Sequence, residues 1–229
     1  MFDLAENECR MGRGVACVIL CAAAIEALFG DIALSLVARR DFVNSVRDSS
    51  QEAPNLFGQK QAAYTFSKIP PLNALEESIA TAFGKLSEYK SSGLDLYYVL
   101  DGFLQGEDRN PKKATKAQKA AWKSTLPLGV GELFELRNSI VHRHGSAFIF
   151  DNEGALMNGP DALPPSLAEL KDIFKIDITD SNRSGWLGLI DTEEVATWGV
   201  RVAREFINAT LHSLPQTPAF DFLKSNAKI

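Results

Sequence analysis

Between Val15 and Leu36 the apolar residues Val15, Val18, Ala22, Ile25, Phe29, Ile32 and Leu36 recur at steps of three and four. That spacing lines one side of an α-helix, so the chain must build its fold around one long, early core helix with a wide apolar face. Alanines 22 to 24 leave room for a second helix to approach closely. Arg10 and Arg13 precede the stretch as they would in a signal peptide. Glu26 and Asp31 interrupt it, however, and the uninterrupted part is short for a membrane span of about 20 residues. A core helix is therefore the favoured reading over a signal sequence, with no membrane partner and a cytoplasmic setting expected. Glu26 is expected to be a solvated or capped carboxylate.

Further on, the pattern dissolves from Asn44 to Pro71 into Ser, Gln, Asn, Gly and Pro70-Pro71, which predicts a loop or a poorly ordered connection. A second helix should begin at Asn73, paired with Glu76 as a capping box, and bury Leu72, Leu75, Ile79, Phe83 and Leu86. Leu96, Val99, Leu100, Phe103 and Leu104 predict a third helix before the turn residues 106–111. After Pro127, Val130, Leu133, Leu136 and Ile140 mark a fourth, with Gly145 as its stop. The last strong signal is a helix over 192–211, capped by Asp191 and Glu194. Its expected buried face is Val195, Trp198, Val202, Phe206 and Ala209, packed on the first helix. Between the last two lies an insert, 145–190, in which 147–150 and 155–157 flank Asp151-Asn152-Glu153-Gly154 as a small β-hairpin, with 175–179 as a possible third strand. The fold class is thus mainly α, a helical bundle read as one domain over 1–229.

Cys9, Cys17 and Cys21 all fall near the start, without a second cluster at ligand spacing, so buried free thiols are favoured over disulfides or a zinc site. The matches to the glycosylation pattern at Asn182 and Asn208 carry meaning only in a secreted chain. Phosphate-loop, dinucleotide and nucleophile-elbow patterns are absent, and His142, His144 and His212 are too few for a His-rich metal centre. No cofactor or metal is expected. A formal net charge of −5 argues against a surface that coats nucleic acid, so any such contact must be local. One basic run, Lys112, Lys113, Lys116, Lys119 and Lys123, is either a solvated face or a phosphate contact.

The polar group on the fourth helix is the candidate site. Asn138 and His142 are four residues apart and stack on one side, where the amide can orient the imidazole. Arg137 and His142 are five apart, about 140° around an ideal helix, so their tips converge only if the Arg bends or a second copy completes the site. A purely structural account also exists: Arg, Asn and His near a helix C-terminus complement its dipole and cap its last carbonyls.

The tract Glu135-Leu136-Arg137-Asn138-Ser139-Ile140-Val141-His142-Arg143-His144-Gly145 closely resembles the signature of the HEPN domains, helical dimeric folds found in many prokaryotic ribonucleases and toxins. The matched pattern is Arg, four residues, then His, with the polar residue after the Arg supplied by Asn138. The resemblance implies metal-independent RNA cleavage by ribose 2'-hydroxyl attack. His142 would be acid or base, Arg137 an electrostatic clamp and Asn138 the orienter; if this tract binds RNA, Arg143, His144 and the lysine run are candidate contacts to it. It also implies a homodimer and a toxin or defence effector held in check by an antitoxin or other regulatory protein. In toxins silenced by a nucleotidyltransferase a Tyr stands two residues after the His; here it is His144, which puts that modification in doubt. The second reading is a non-catalytic module of the same kind that binds RNA or nucleotide, or serves assembly.

Overall fold

The computed structural model describes residues 1–52, 65, 69, 71–87, 92–142 and 186–226. Those residues are mainly helical and contain no strand. The helices are α1 (Phe2–Arg10), α2 (Gly14–Glu52), α3 (Ala74–Ser87), α4 (Gly93–Gln105), α5 (Lys116–Lys123), α6 (Val130–His142), α7 (Trp186–Ile190), α8 (Glu193–Ser213) and α9 (Pro218–Asn226). The expected hairpin, 147–150 with 155–157, and the third strand at 175–179 lie outside the described residues.

By contacts the chain divides into two compact units, each drawn from separate stretches of sequence. The first takes Met1–Ile25 and Lys123–Ala209. In it, α1 turns into α2 through Gly12, whose φ of 68° suits a residue without a side chain. Asp191 then caps α2: its Oδ1 accepts the Val15 backbone N–H at 3.0 Å. Gly14 must be glycine here, since a β-carbon would overlap the Ile190 carbonyl oxygen and lie 2.8 Å from Thr192 N. The opening turn of α8 is capped instead by Thr192, whose hydroxyl accepts from Val195 N at 3.3 Å. The cap expected from Asp191 is therefore displaced by one residue, because Asp191 serves the neighbouring helix. As expected, α8 packs on the first part of α2: a β-carbon at Gly199 would touch Val18, Cys21 and Leu133 at 3.7–3.9 Å. Val195, Trp198, Val202 and Phe206 are buried as read from sequence, but Ala209 is exposed and Thr210 is buried in its place. The true period of 3.6 residues carries the face one position further than a three-residue step allows.

Glu26–Trp122 and Thr210–Lys228 form the second unit. Phe29, Ile32, Leu36 and Val43 of α2 are buried in its core. Phe29 meets Tyr97 edge-on at 5.5 Å, and Tyr98 lies 5.7 Å from Trp122. The start of α4 sits close to α2, for a β-carbon on Gly93 would approach Glu26 Cα to 2.7 Å. Asn73 and Glu76 form the capping box read from sequence, with Asn73 N donating to Glu76 Oε2 at 2.9 Å and Glu76 N to Asn73 Oδ1 at 2.8 Å. Ile79, Phe83 and Leu86 are buried, whereas Leu75 is exposed. A second capping box, Ser92 with Asp95, opens α4, and Gly106 closes it in the left-handed conformation.

The loop expected from Asn44 is corrected: α2 continues through Glu52. No Gly or Pro stands between Asn44 and Pro54, Val43 remains buried, and the Ser49 hydroxyl bonds back to Ser45 O at 2.8 Å. Most of the remainder of that expected loop lies outside the described residues. The stretch Gly14–Ser49 is long and apolar enough to cross a membrane by length and composition, a test that buried core helices also pass.

Candidate active site

Helix α6 belongs to the first unit and starts after Gly129, where φ is 92° and a β-carbon would crowd Val202 at 2.7 Å. Its inward face is Val130, Leu133, Phe134, Leu136 and Ile140, all buried, with Ser139 beside them. That burial fixes the rotation of the helix and leaves Asn138 in solvent and Arg137 half-buried. The two side chains meet: Arg137 Nη1 donates to Asn138 Oδ1 at 2.9 Å. The expected pairing of Asn138 with the His142 side chain falls outside the described residues. An amide oxygen carries two lone pairs and its nitrogen two N–H groups, so Asn138 can receive Arg137 and still address an imidazole. The backbone of His142 continues the helix. Its side chain, together with Arg143 and His144, lies outside the described residues.

The same helix receives a contact that sequence reading did not foresee. Lys123 lies against Gly131, where a β-carbon would come 2.9 Å from its Cε, and its ammonium pairs with Glu135. Gly131 and Glu135 are one turn apart, so the lysine stem runs along the helix to the carboxylate. Lys123 is thus engaged by a side chain of the signature tract. The other lysines of the run belong to the second unit. Lys112 pairs with Asp95 at 3.3 Å. Lys113, Lys116 and Lys119 are exposed, and no residue of α5 is buried. This exposure of α5 is common to both readings of the run, a solvated face and a phosphate contact.

Cys17 and Cys21 are buried free thiols 3.9 Å apart, and Cys9 is half-buried. The hydrogen bond between them holds the Cys17 thiol below its ordinary pKa and pushes that of Cys21 up, with burial adding to the rise. Cys17 also reaches Ala196 O at 3.3 Å, which ties α2 to α8. Among the described residues no group of three or more His, Cys, Asp or Glu side chains is placed to hold a metal ion. No protein-family model, no curated protein and no solved structure matches this chain.

Proposed function

We propose that this chain is a metal-independent endoribonuclease of the HEPN type, acting in the cytoplasm as a homodimeric toxin or defence effector under the control of a partner protein. The observation that carries the reading is the Arg137–Asn138 hydrogen bond at the solvent edge of α6, one turn before His142 in the signature tract. A guanidinium held there by a neighbouring amide suits a clamp on phosphate, because its planar fork of donors matches paired oxygens.

In this reading the 2'-hydroxyl of a ribose attacks the adjacent phosphorus and the bond to the 5'-oxygen breaks. One imidazole takes the 2'-hydroxyl proton and another gives a proton to the leaving oxygen, the two His142 side chains of a dimer dividing these roles. Arg137 stabilises the charge gathered on the pentacoordinate phosphorus. The products are a 2',3'-cyclic phosphate and a 5'-hydroxyl.

Purified protein in EDTA, incubated with mixed RNA beside His142→Ala and Arg137→Ala, tests this directly. Wild type should cut and leave cyclic phosphates, while each variant should lose at least about a hundredfold in rate. Cutting that survives both substitutions, or none by wild type, would overturn it. RNA binding without cutting would favour the non-catalytic module.

A further inference from the structure

Three thiols meet in the first unit, and the ribonuclease reading uses none of them. Cys17 is the hub: its Sγ lies 3.9 Å from that of Cys21, and Cys9 also hydrogen-bonds to it. The backbone around them agrees. Cys17 Sγ reaches Ala196 O at 3.3 Å, and Cys9 Sγ stands 3.8 Å from the hydroxyl of the next residue, Thr197. Ala5, whose carbonyl Cys17 also reaches at 3.5 Å, is one turn before Cys9 on α1. Cys9 and Cys17 therefore share one seam, where α1 and α2 both lie against α8. Their exposure differs. Cys17 and Cys21 are fully buried, whereas Cys9 is half-buried, so an oxidant from solvent reaches Cys9 first. Among the described residues no three such groups are placed to share a metal ion, which leaves bonding between sulfurs as the chemistry open to the cluster.

We propose that Cys9 and Cys17 form a peroxide-sensitive modification site, in which Cys9 is oxidised and Cys17 resolves it as a disulfide between α1 and α2. The Cys9 thiolate attacks one oxygen of hydrogen peroxide, the O–O bond breaks and hydroxide leaves, giving a sulfenic acid. The Cys17 thiolate then attacks the Cys9 sulfur, the S–O bond breaks, and the hydroxyl takes up a proton and leaves as water. Over both steps two thiols and one peroxide become one disulfide and two waters. Cys21 is closer in sequence to Cys17 but poorly placed to pair with it. Side chains four apart on a helix have β-carbons about 5–6 Å apart, and a disulfide needs about 3.5–4.5 Å. Cys9 stands on a separate helix, in the last turn of α1 before Gly12, where the backbone is less constrained. Hydrogen bonds from Cys21 and from Cys9 hold the Cys17 thiol below its ordinary pKa, which favours the resolving thiolate, whereas the thiol of Cys21 is pushed up. Oxidation also removes the S–H that Cys17 directs at Ala196 O, so α2 gains a tie to α1 and loses one to α8. The site is independent of the ribonuclease reading, and its test has no cleavage readout.

The test treats the reduced full chain, freed of reductant, with a slight excess of hydrogen peroxide and reads the thiol titre, the mass and the tandem mass spectra of its digest. Wild type should lose two of its three thiols and the mass of two hydrogens, with Cys9 joined to Cys17 and Cys21 left free. Dithiothreitol should restore all three. Cys21→Ala should form the same bond, Cys9→Ser should keep both remaining thiols, and Cys17→Ala should stop at a sulfenic acid on Cys9 that dimedone traps. The linkage is mapped in wild type itself, so a variant that circular dichroism shows to be unfolded does not remove the test. A disulfide between Cys17 and Cys21 or between chains would overturn the proposal. So would a Cys9 that oxidises without pairing, or three intact thiols in folded wild type under conditions that oxidise the urea-unfolded chain.

Discussion

Glu76 is only 2% exposed, yet each of its oxygens has a partner. One oxygen accepts from Asn73 N, and the other accepts the hydroxyl of Thr217, the residue just before α9. A single carboxylate thus caps α3 and ties it to the start of α9 within the second unit. Glu76→Ala should lower stability by about 2 kcal/mol, the sum of a lost cap and a lost buried hydrogen bond. Glu76→Gln, which keeps an acceptor for one partner, should lose clearly less in urea unfolding of the full chain; equal losses would mean that the charge, and not the bonding, matters. Tyr97 offers a pH-dependent counterpart. Burial, helped by the nearby Asp101, pushes its phenol up to about 12. The folded chain therefore holds that proton more tightly than the unfolded chain, where the value is about 10. The resulting stability is present below pH 10 and fades as pH rises through 12. Tyr97→Phe should lose less stability than wild type between about pH 9 and about pH 11, read from urea midpoints.

At the scale of the elements, α2 determines most of the architecture, and two of its glycines should answer oppositely to the same change. A β-carbon at Gly14 meets backbone atoms of Ile190 and Thr192, which cannot swing aside, while one at Gly30 meets nothing within 4 Å. Gly14→Ala should destabilise by about 2 kcal/mol or more through overpacking, and Gly30→Ala should stabilise by about 0.5–1 kcal/mol by restricting the unfolded chain. Thermal melts of the two variants beside wild type check both signs. The same helix shows where sequence patterning is sufficient. Its stripe from Val18 to Leu36 is buried as read, because a core face repeats at the helical period. Its last turns, up to Glu52, were read as loop, since a helix bathed in solvent has no apolar repeat to betray it. Asp191 and Thr192 show a second kind of illegibility. Both can cap, and which helix each one serves depends on α2 standing beside α8, a tertiary fact. In the candidate site the outward position of Asn138 followed from the stripe of α6. Its bond to Arg137 did not, because a contact between adjacent side chains on a helix is not written in spacing.

For the whole molecule, the net charge of −5 and a pI near 5.3 mean that a polyanion meets a protein of net like charge. Binding to RNA must then run through few cations, and its salt dependence counts them. Single-stranded binding loses affinity with a slope of about −0.7 per phosphate neutralised. Lys112 and Lys123 already face carboxylates, at Asp95 and Glu135, whereas Lys116 and Lys119 are exposed along α5. If the proposed ribonuclease uses α5 to hold its substrate, Lys116→Gln/Lys119→Gln should flatten the slope by roughly 1.4 and weaken binding at low salt. The measurement is a salt series of fluorescence-anisotropy titrations with a short single-stranded RNA, using His142→Ala as the common background so that the substrate stays intact. An unchanged slope would assign Lys116 and Lys119 to solvent and leave phosphate recognition to other cations, Arg137 of the signature tract first among them.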